Sequence, residues 1–154
     1  TKFDGSKAAF EPIKASNNNT VSIIDSSDGQ IAAVILISEF DFRLGLMQEH
    51  FNENYLESNV YPKSTFEGQI KNFSLEELNQ DFKEHEIEGV LTIKGVNNDI
   101  TTKAKIRKID EKIELSSGFS VMLSDYKVKI PKIVFKKIDE EVKINLNFVY
   151  ERKQ

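Results

Sequence analysis

The sequence predicts an all-β protein, an antiparallel sandwich or barrel, on two observations. Apolar and polar residues alternate with period two along several segments. Turn-forming Gly, Asn and Asp residues recur between those segments, at the spacing of a sheet of short connections. Antiparallel sheets expose their edge strands unless they close, and a barrel removes the edges altogether.

The elements follow in chain order. Residues 1–19 are the least patterned, and Asn17-Asn18-Asn19 reads as a loop. Thr20–Ile24 is a strand, separated from a second strand over Gln30–Phe42 by Asp25-Ser26-Ser27-Asp28-Gly29, where the glycine can supply positive φ. Leu44–Glu57 reads as a short amphipathic helix, with Leu46, Met47, Phe51 and Tyr55 near one face. A proline-led turn at Tyr61-Pro62 then enters a strand. Ser74-Leu75-Glu76-Glu77 has the form of a capping box and is expected to start a second short helix, running to about Phe82. Gly95-Val96-Asn97-Asn98-Asp99 is placed as the turn between two further strands. Ile100, Thr102, Ala104 and Ile106 then face one way, with Thr101, Lys103, Lys105 and Arg107 opposite. Asp110-Glu111 is the tip of a tight hairpin. Beyond it Ile113, Leu115, Ser117, Phe119, Val121 and Leu123 form one inward series, and Val142, Ile144, Leu146, Phe148 and Tyr150 another. Asp125 is expected to close a turn through its side chain.

Length and composition narrow the function. At 154 residues the chain is one domain, 1–154, large enough to bury a substantial core. Hydrophobic residues make up 39%, charged residues 30%, and the mean hydropathy is −0.41, values of a globular chain. Its longest apolar run, Ile31–Ile37, falls far short of the ~20 residues of a membrane-spanning helix. A net charge of −4 and only three arginines, Arg43, Arg107 and Arg152, argue against nucleic acid as a partner. The absence of cysteine removes disulfides, thiolate metal sites and cysteine nucleophiles together. The chain starts at Thr1 without a charged-then-apolar leader, so a processed or truncated chain is expected, with any export signal already gone. Heavy use of Lys, Asn and Ile fits an AT-rich bacterial genome.

The candidate sites differ in strength. Phe66, Leu91, Ile93, Phe119, Val121, Leu123, Ile144, Leu146 and Phe148 share the inward face. They either fill an ordinary core or line an elongated cavity, since a barrel of about eight strands does one or the other. The helix carrying Leu46, Met47, Phe51 and Tyr55 suits a plug or gate at one end, with flexible Met47 tolerant of variable shapes, or simple packing. His50 and His85 are the two histidines. Neither has the three or four converging ligands of a metal site, so His50 is read as structural and His85 as solvated. No Gly-x-Ser-x-Gly elbow, triad or phosphate-binding glycine loop occurs. Asp125 and Tyr126 are the best acid–hydroxyl pair, but adjacent strand residues point to opposite faces. Glu76, Glu77, Asp81, Glu84, Glu86 and Glu88 form an acidic stretch. Lys103, Lys105, Arg107 and Lys108 form a basic one, and Lys127, Lys129, Lys132, Lys136 and Lys137 another. Either basic cluster suits a lipid phosphate or anionic membrane, or else a solvated strand face.

Four segments carry a family resemblance. They are His50-Phe51-Asn52-Glu53-Asn54-Tyr55-Leu56-Glu57-Ser58, Tyr61-Pro62-Lys63-Ser64-Thr65-Phe66-Glu67-Gly68, Glu88-Gly89-Val90-Leu91-Thr92-Ile93-Lys94-Gly95, and Gly118-Phe119-Ser120-Val121-Met122-Leu123-Ser124-Asp125-Tyr126. In this order and spacing they resemble the YceI-like family of lipocalin-like, polyisoprenoid-binding barrels, over about Gly29 to Val149. The resemblance implies an extended antiparallel barrel of about eight strands with one or two short helices. It also implies non-catalytic carriage of an isoprenoid or fatty-acyl lipid in the barrel, with no other cofactor, and an exported protein, periplasmic or secreted. A homodimer is expected because dimers are common among relatives. His50 is a motif residue of the family, explained by a helix cap or a bond to a backbone carbonyl. The chain departs from the pattern at its amino end: relatives commonly open with a tryptophan-bearing strand and a His–Ser element, and this chain has no tryptophan. Its first strand is placed around Lys7 to Ile13. The rivals to a lipid carrier are an enzyme using the same cavity, and a packed barrel that docks a partner through an outer patch including Val34 and Val149.

Overall fold

A computed structural model of the chain describes residues 1–6, 14–42, 56, 59–128 and 138–151. Its strands are β1 (Lys2–Ser6), β2 (Lys14–Ser16), β3 (Val21–Ile24), β4 (Gln30–Leu36), β5 (Asp41–Phe42), β6 (Lys63–Ile70), β7 (Lys83–Ile93), β8 (Val96–Ile109), β9 (Lys112–Met122) and β10 (Ile138–Glu151). All belong to one sheet, in the order β3-β4-β6-β7-β8-β9-β10-β1-β2-β5. The eight strands from β3 to β1 make the barrel wall, and short β2 and β5 extend its far edge. Among the described residues there is no α-helix.

Alternation places the wall's inner face as the sequence reading expects. Across β9 and β10 the inner pairs are Val121–Val142, Phe119–Ile144, Ser117–Leu146 and Leu115–Phe148. Across β6 and β7 they are Phe66–Leu91, Gly68–Gly89 and Ile70–Ile87. Outward positions carry charge. Glu84 and Glu86 on β7 lie opposite Lys105 and Lys103 on β8, so the acidic stretch and the first basic stretch sit side by side. A Lys103 Nζ–Glu84 Oε1 contact of 3.3 Å and an Arg107 Nε–Glu114 Oε2 contact of 2.5 Å join them to their neighbours.

Closure uses side chains where backbone ladders stop. Six antiparallel pairings carry the sheet from β3 to β10, so these two strands run in the same direction. No ladder joins them among the described residues. β10 pairs with β1 only as far as Asn145, and its distal half meets β3 instead. There Ser22 Oγ lies 2.7 Å from the Tyr150 hydroxyl. Ser22 already donates its single hydrogen to the Ala32 carbonyl at 3.0 Å, so Tyr150 is the donor. Nearer the amino end, Asn17 is fully buried and donates from Nδ2 to the Leu36 carbonyl at 3.0 Å. Its Oδ1 accepts the Asn19 N–H at 2.9 Å.

Several local expectations are corrected. The capping box does not start a helix: Leu75–Glu77 is a single 3₁₀ turn, the Ser74 side chain makes no capping bond, and the Glu77 N–H donates to the Ser74 carbonyl at 3.1 Å. Tertiary contacts override the local signal. Leu78 is drawn into the core, and the Lys108 N–H donates to the Asn79 carbonyl at 2.8 Å, pinning the segment to β8 before a second turn can form. The turn placed at Gly95–Asp99 is tighter. It consists of Lys94 and Gly95, with φ of 52° and 75°, and Val96 already pairs with Ile93. The Asp110-Glu111 hairpin stands as expected, with Ile109 paired to Lys112. Gln30–Phe42 is broken by a 3₁₀ turn at Ile37–Glu39, which sends the chain from β4 to β5 at the opposite edge of the sheet. The strand expected at Lys7–Ile13 and all of the helix expected at Leu44–Glu57 except Leu56 lie outside the described residues.

Two buried clusters occupy the interior. One gathers Ile37, Phe40, Leu56, Leu91, Val121, Tyr126, Val128 and Val142; the other gathers Ile31, Ile70, Leu78, Ile87, Ala104, Ile106 and Leu115. Phe66 packs against both. Its ring lies over the Gly68–Gly89 pair, where a Cβ on Gly89 would come within 2.6 Å of the Phe66 ring. Glycine here keeps that ring against the wall.

Two tests follow from this packing. Gly89→Ala should destabilise the protein by about 1–3 kcal/mol, because the Glu67 carbonyl and the Phe66 ring cannot both give way. Gly118→Ala, whose Cβ meets only the flexible end of Asn145, should cost less than about 1 kcal/mol. Denaturant titration compares them, and equal costs would refute the packing argument. Separately, burial pushes the Tyr150 phenol up to about 12, against 10.0 ordinarily. The folded state therefore favours the neutral phenol. Its contribution, roughly 2–3 kcal/mol, is complete below pH 10 and disappears as pH rises toward 12. In Tyr150→Phe that alkaline component should vanish from the stability profile; an unchanged profile would mean that the seam does not shield Tyr150.

Candidate functional site: an apolar tube

Among the described residues, the inner faces of β4, β6–β10 and β1 surround a partly open cavity of about 170 Å³. All nine wall residues singled out from the sequence border it: Phe66, Leu91, Ile93, Phe119, Val121, Leu123, Ile144, Leu146 and Phe148. Leu46, Met47, Phe51 and Tyr55 lie outside the described residues. Leu56, one residue beyond Tyr55, is buried and borders the cavity. The described residues thus leave open space where the packed-barrel rival requires a filled interior, and Val34 (36% exposed) and Val149 (59%) face outward.

Sequence reasoning missed part of the wall. Ile31, Ala33 and Ile35 on β4 line the cavity, but they sit in the uninterrupted run Ile31–Ile37, whose alternation is hidden by apolar residues on both faces. Phe3 lines it from β1, at a position where no strand was expected, and its ring packs edge-on against Phe40 at 5.2 Å. Ile87, Ile100, Leu115 and Val142 line it as well, and Ile100, Leu115 and Val142 stand in the alternating series of the sequence.

The two ends differ. Ile70 and Ile106 are fully buried, and Leu78 nearly so, yet none borders the cavity. They form a solid plug beneath Ile31, Ile87, Leu115 and Phe148, which do. At the other end the lining passes through Ile37, Phe40, Leu56, Leu123 and Val128.

Among the described residues the lining carries no charged side chain. Its polar members are the hydroxyl residues Thr1, Ser64, Thr102 and Ser117. Ser117 donates to the Lys103 carbonyl at 2.8 Å and so completes its own bonding. Asp125 and Tyr126 diverge: Asp125 is exposed, and Tyr126 is buried with its phenol pushed up by burial and by the Asp125 charge. Asp125 takes part in its turn through its backbone carbonyl, which accepts from Asn98 Nδ2 at 2.6 Å. The turn itself closes through backbone bonds of Lys127 and Val128, so the expected side-chain role is corrected.

His85 is also corrected. It follows the inward phase of β7 (85, 87, 89, 91) rather than facing water. Its Nδ1 lies 3.1 Å from the Lys71 carbonyl, and its Nε2 is shielded without a partner. His50 lies outside the described residues, as do Lys129, Lys132, Lys136 and Lys137 of the second basic stretch. Among the described residues no cluster of His, Asp and Glu has the form of a metal site.

Solved structures of low sequence identity share this fold. A polyisoprenoid-binding domain from Saccharophagus degradans, implicated in plant cell wall breakdown, superposes with a TM-score of 0.86 at 14% identity, over 99% of this chain and 92% of that one. BcnA from Burkholderia cenocepacia gives 0.78 at 16% identity, over 97% and 94%. The Campylobacter jejuni YceI protein gives 0.76 at 18%, over 94% and 88%. No curated protein matches the sequence. The YceI-like domain pattern itself matches residues 2–150, nearly the whole chain, and the protein belongs to the YceI-like family.

Proposed function

We propose that the protein binds a long-chain hydrophobic molecule, an isoprenoid or fatty-acyl lipid, inside the tube and carries or sequesters it without bond chemistry. The observation that supports this most directly is a preformed cavity of about 170 Å³ walled by aliphatic and aromatic side chains. It is comparable with the engineered apolar cavity of about 150 Å³ that holds benzene in another protein. Transfer of hydrocarbon from water into such a wall contributes about 0.8 kcal/mol per methylene, so affinity needs no charged anchor. The name of the Saccharophagus relative, a polyisoprenoid-binding domain, points the same way. General acid–base chemistry relies on a titratable side chain facing the substrate, and no Asp, Glu, His, Lys, Tyr or Cys is among the described lining residues. An exported location and a homodimer belong to the same proposal, on the habits of the family alone.

Organic extraction of the purified protein followed by mass spectrometry should return a polyprenyl or acyl species. A clean extract, together with no uptake of a pyrene-labelled long-chain alkane, would sink the proposal. Phe119→Asp places a carboxylate on the cavity wall and should weaken uptake of that probe at least about tenfold, the cost of burying an unpaired charge. Circular dichroism checks that the variant remains folded. Full affinity in a folded variant would put Phe119 off the ligand's path.

A further inference from the structure

Ser64 is the feature of the tube that a plain hydrocarbon would leave unused. It is 5% exposed, sits on the inner face of β6 and borders the cavity. Its hydroxyl has no hydrogen-bond partner among the described residues. Among those residues the only sealed side-chain polar atom without a partner is His85 Nε2, so Ser64 Oγ keeps a small accessible surface on a residue that borders the cavity. A buried hydroxyl normally finds a partner, and an unmet one is costly. Ser117 shows the ordinary solution, a bond to a nearby carbonyl. Ser64 pairs with Ile35 of β4 and lies level with Ile93 of β7, at the end of the tube away from the Ile70–Ile106–Leu78 plug. From Ser64 to Ile70 the strand runs about 20 Å at ~3.3 Å per residue.

Resting on the lipid-site reading above, we propose that the ligand is an uncharged long-chain molecule with a hydroxyl or carbonyl oxygen that hydrogen-bonds to Ser64. Its hydrocarbon tail runs from there toward Ile87, Leu115 and Phe148. A serine hydroxyl both donates and accepts, so either oxygen fits. A carboxylate fits less well, because no Lys, Arg or His side chain is among the described lining residues and the Thr1 ammonium is engaged by the Asn17 carbonyl at 2.9 Å.

Displacement of the pyrene-labelled alkane gives dissociation constants for four competitors of equal chain length: an alkane, a primary alcohol, a methyl ketone and a carboxylate at neutral pH. The alcohol or the ketone should bind about fivefold more tightly than the alkane, the yield of one neutral hydrogen bond, and the better of the two identifies the oxygen. The carboxylate should bind at least about tenfold more weakly than that ligand. Ser64→Ala should bring the oxygenated chain down to the alkane's affinity and leave the alkane unchanged. Ser120→Ala, on the exposed outer face of β9, should alter neither. The anchor is overturned if Ser64→Ala has no effect, if the loss appears in Thr102→Val and not in Ser64→Ala, or if the carboxylate binds as well as the alcohol. Should none of the four chains bind, the lipid-site reading fails and this one falls with it. Binding of the alkane with no effect of Ser64→Ala overturns the anchor alone.

Discussion

Register is the constraint on which this protein rests. Along the order β4-β6-β7-β8-β9-β10 each strand pairs with its neighbour in antiparallel fashion, and the inward phase is passed on without interruption. Side chains in a strand alternate strictly, so a slip of one residue at any pairing exchanges the two faces. At β7 such a slip would bring Glu86 and Glu88 into the lumen and put Ile87 and Leu91 in water. The outer charges reinforce the same choice, because Glu84 and Glu86 lie opposite Lys105 and Lys103 only in the native register. Hydrophobic burial sets the phase, and the ladder of opposite charges penalises its neighbours. The exposed pairs add little stability individually.

An apolar inner face does not by itself make a hollow one. The distribution of side-chain size decides where the barrel fills. At the plug, Ile70, Ile87, Ile106, Leu78 and Leu115 converge and close the interior. In the middle, Gly68, Gly89 and Ala33 thin the wall, and Phe66 lies across the glycine pair. The ring thus supplies apolar surface while its bulk stays at the wall. Small residues beside a large aromatic are what separate a tube from a core here, and the pattern places open space above a solid floor.

Much of this was legible from the chain, and the failures have physical causes. Strands β8, β9 and β10 carry long alternating series, so their inner residues could be read directly. In β4 both faces are apolar over Ile31–Ile37, and period two leaves no trace there. The Ser74–Glu77 capping box is a valid local signal that lost to two tertiary demands, burial of Leu78 and the bond from Lys108 to the Asn79 carbonyl. His85 was read as solvated because glutamates flank it, although adjacent residues in a strand face opposite ways and the flanking charges therefore argued for an inward ring. Hollowness itself was not legible, since inward leucine and phenylalanine look alike in a core and in a wall. The family resemblance tipped that choice.

An empty apolar cavity weakens the protein that contains it, because the atoms lining it lose dispersion partners. At ~24 cal/mol per Å³, a void of about 170 Å³ forgoes on the order of 4 kcal/mol relative to a filled core. The chain tolerates that deficit because its floor is densely packed and its wall is continuous from β3 to β1. A bound hydrocarbon would recover part of it, acting as a removable piece of core. Binding to the folded state alone then raises stability with ligand concentration. If a hydrocarbon does fill the hollow, stability and affinity are coupled: whatever enlarges the space weakens the empty barrel and would widen the range of chains it could hold.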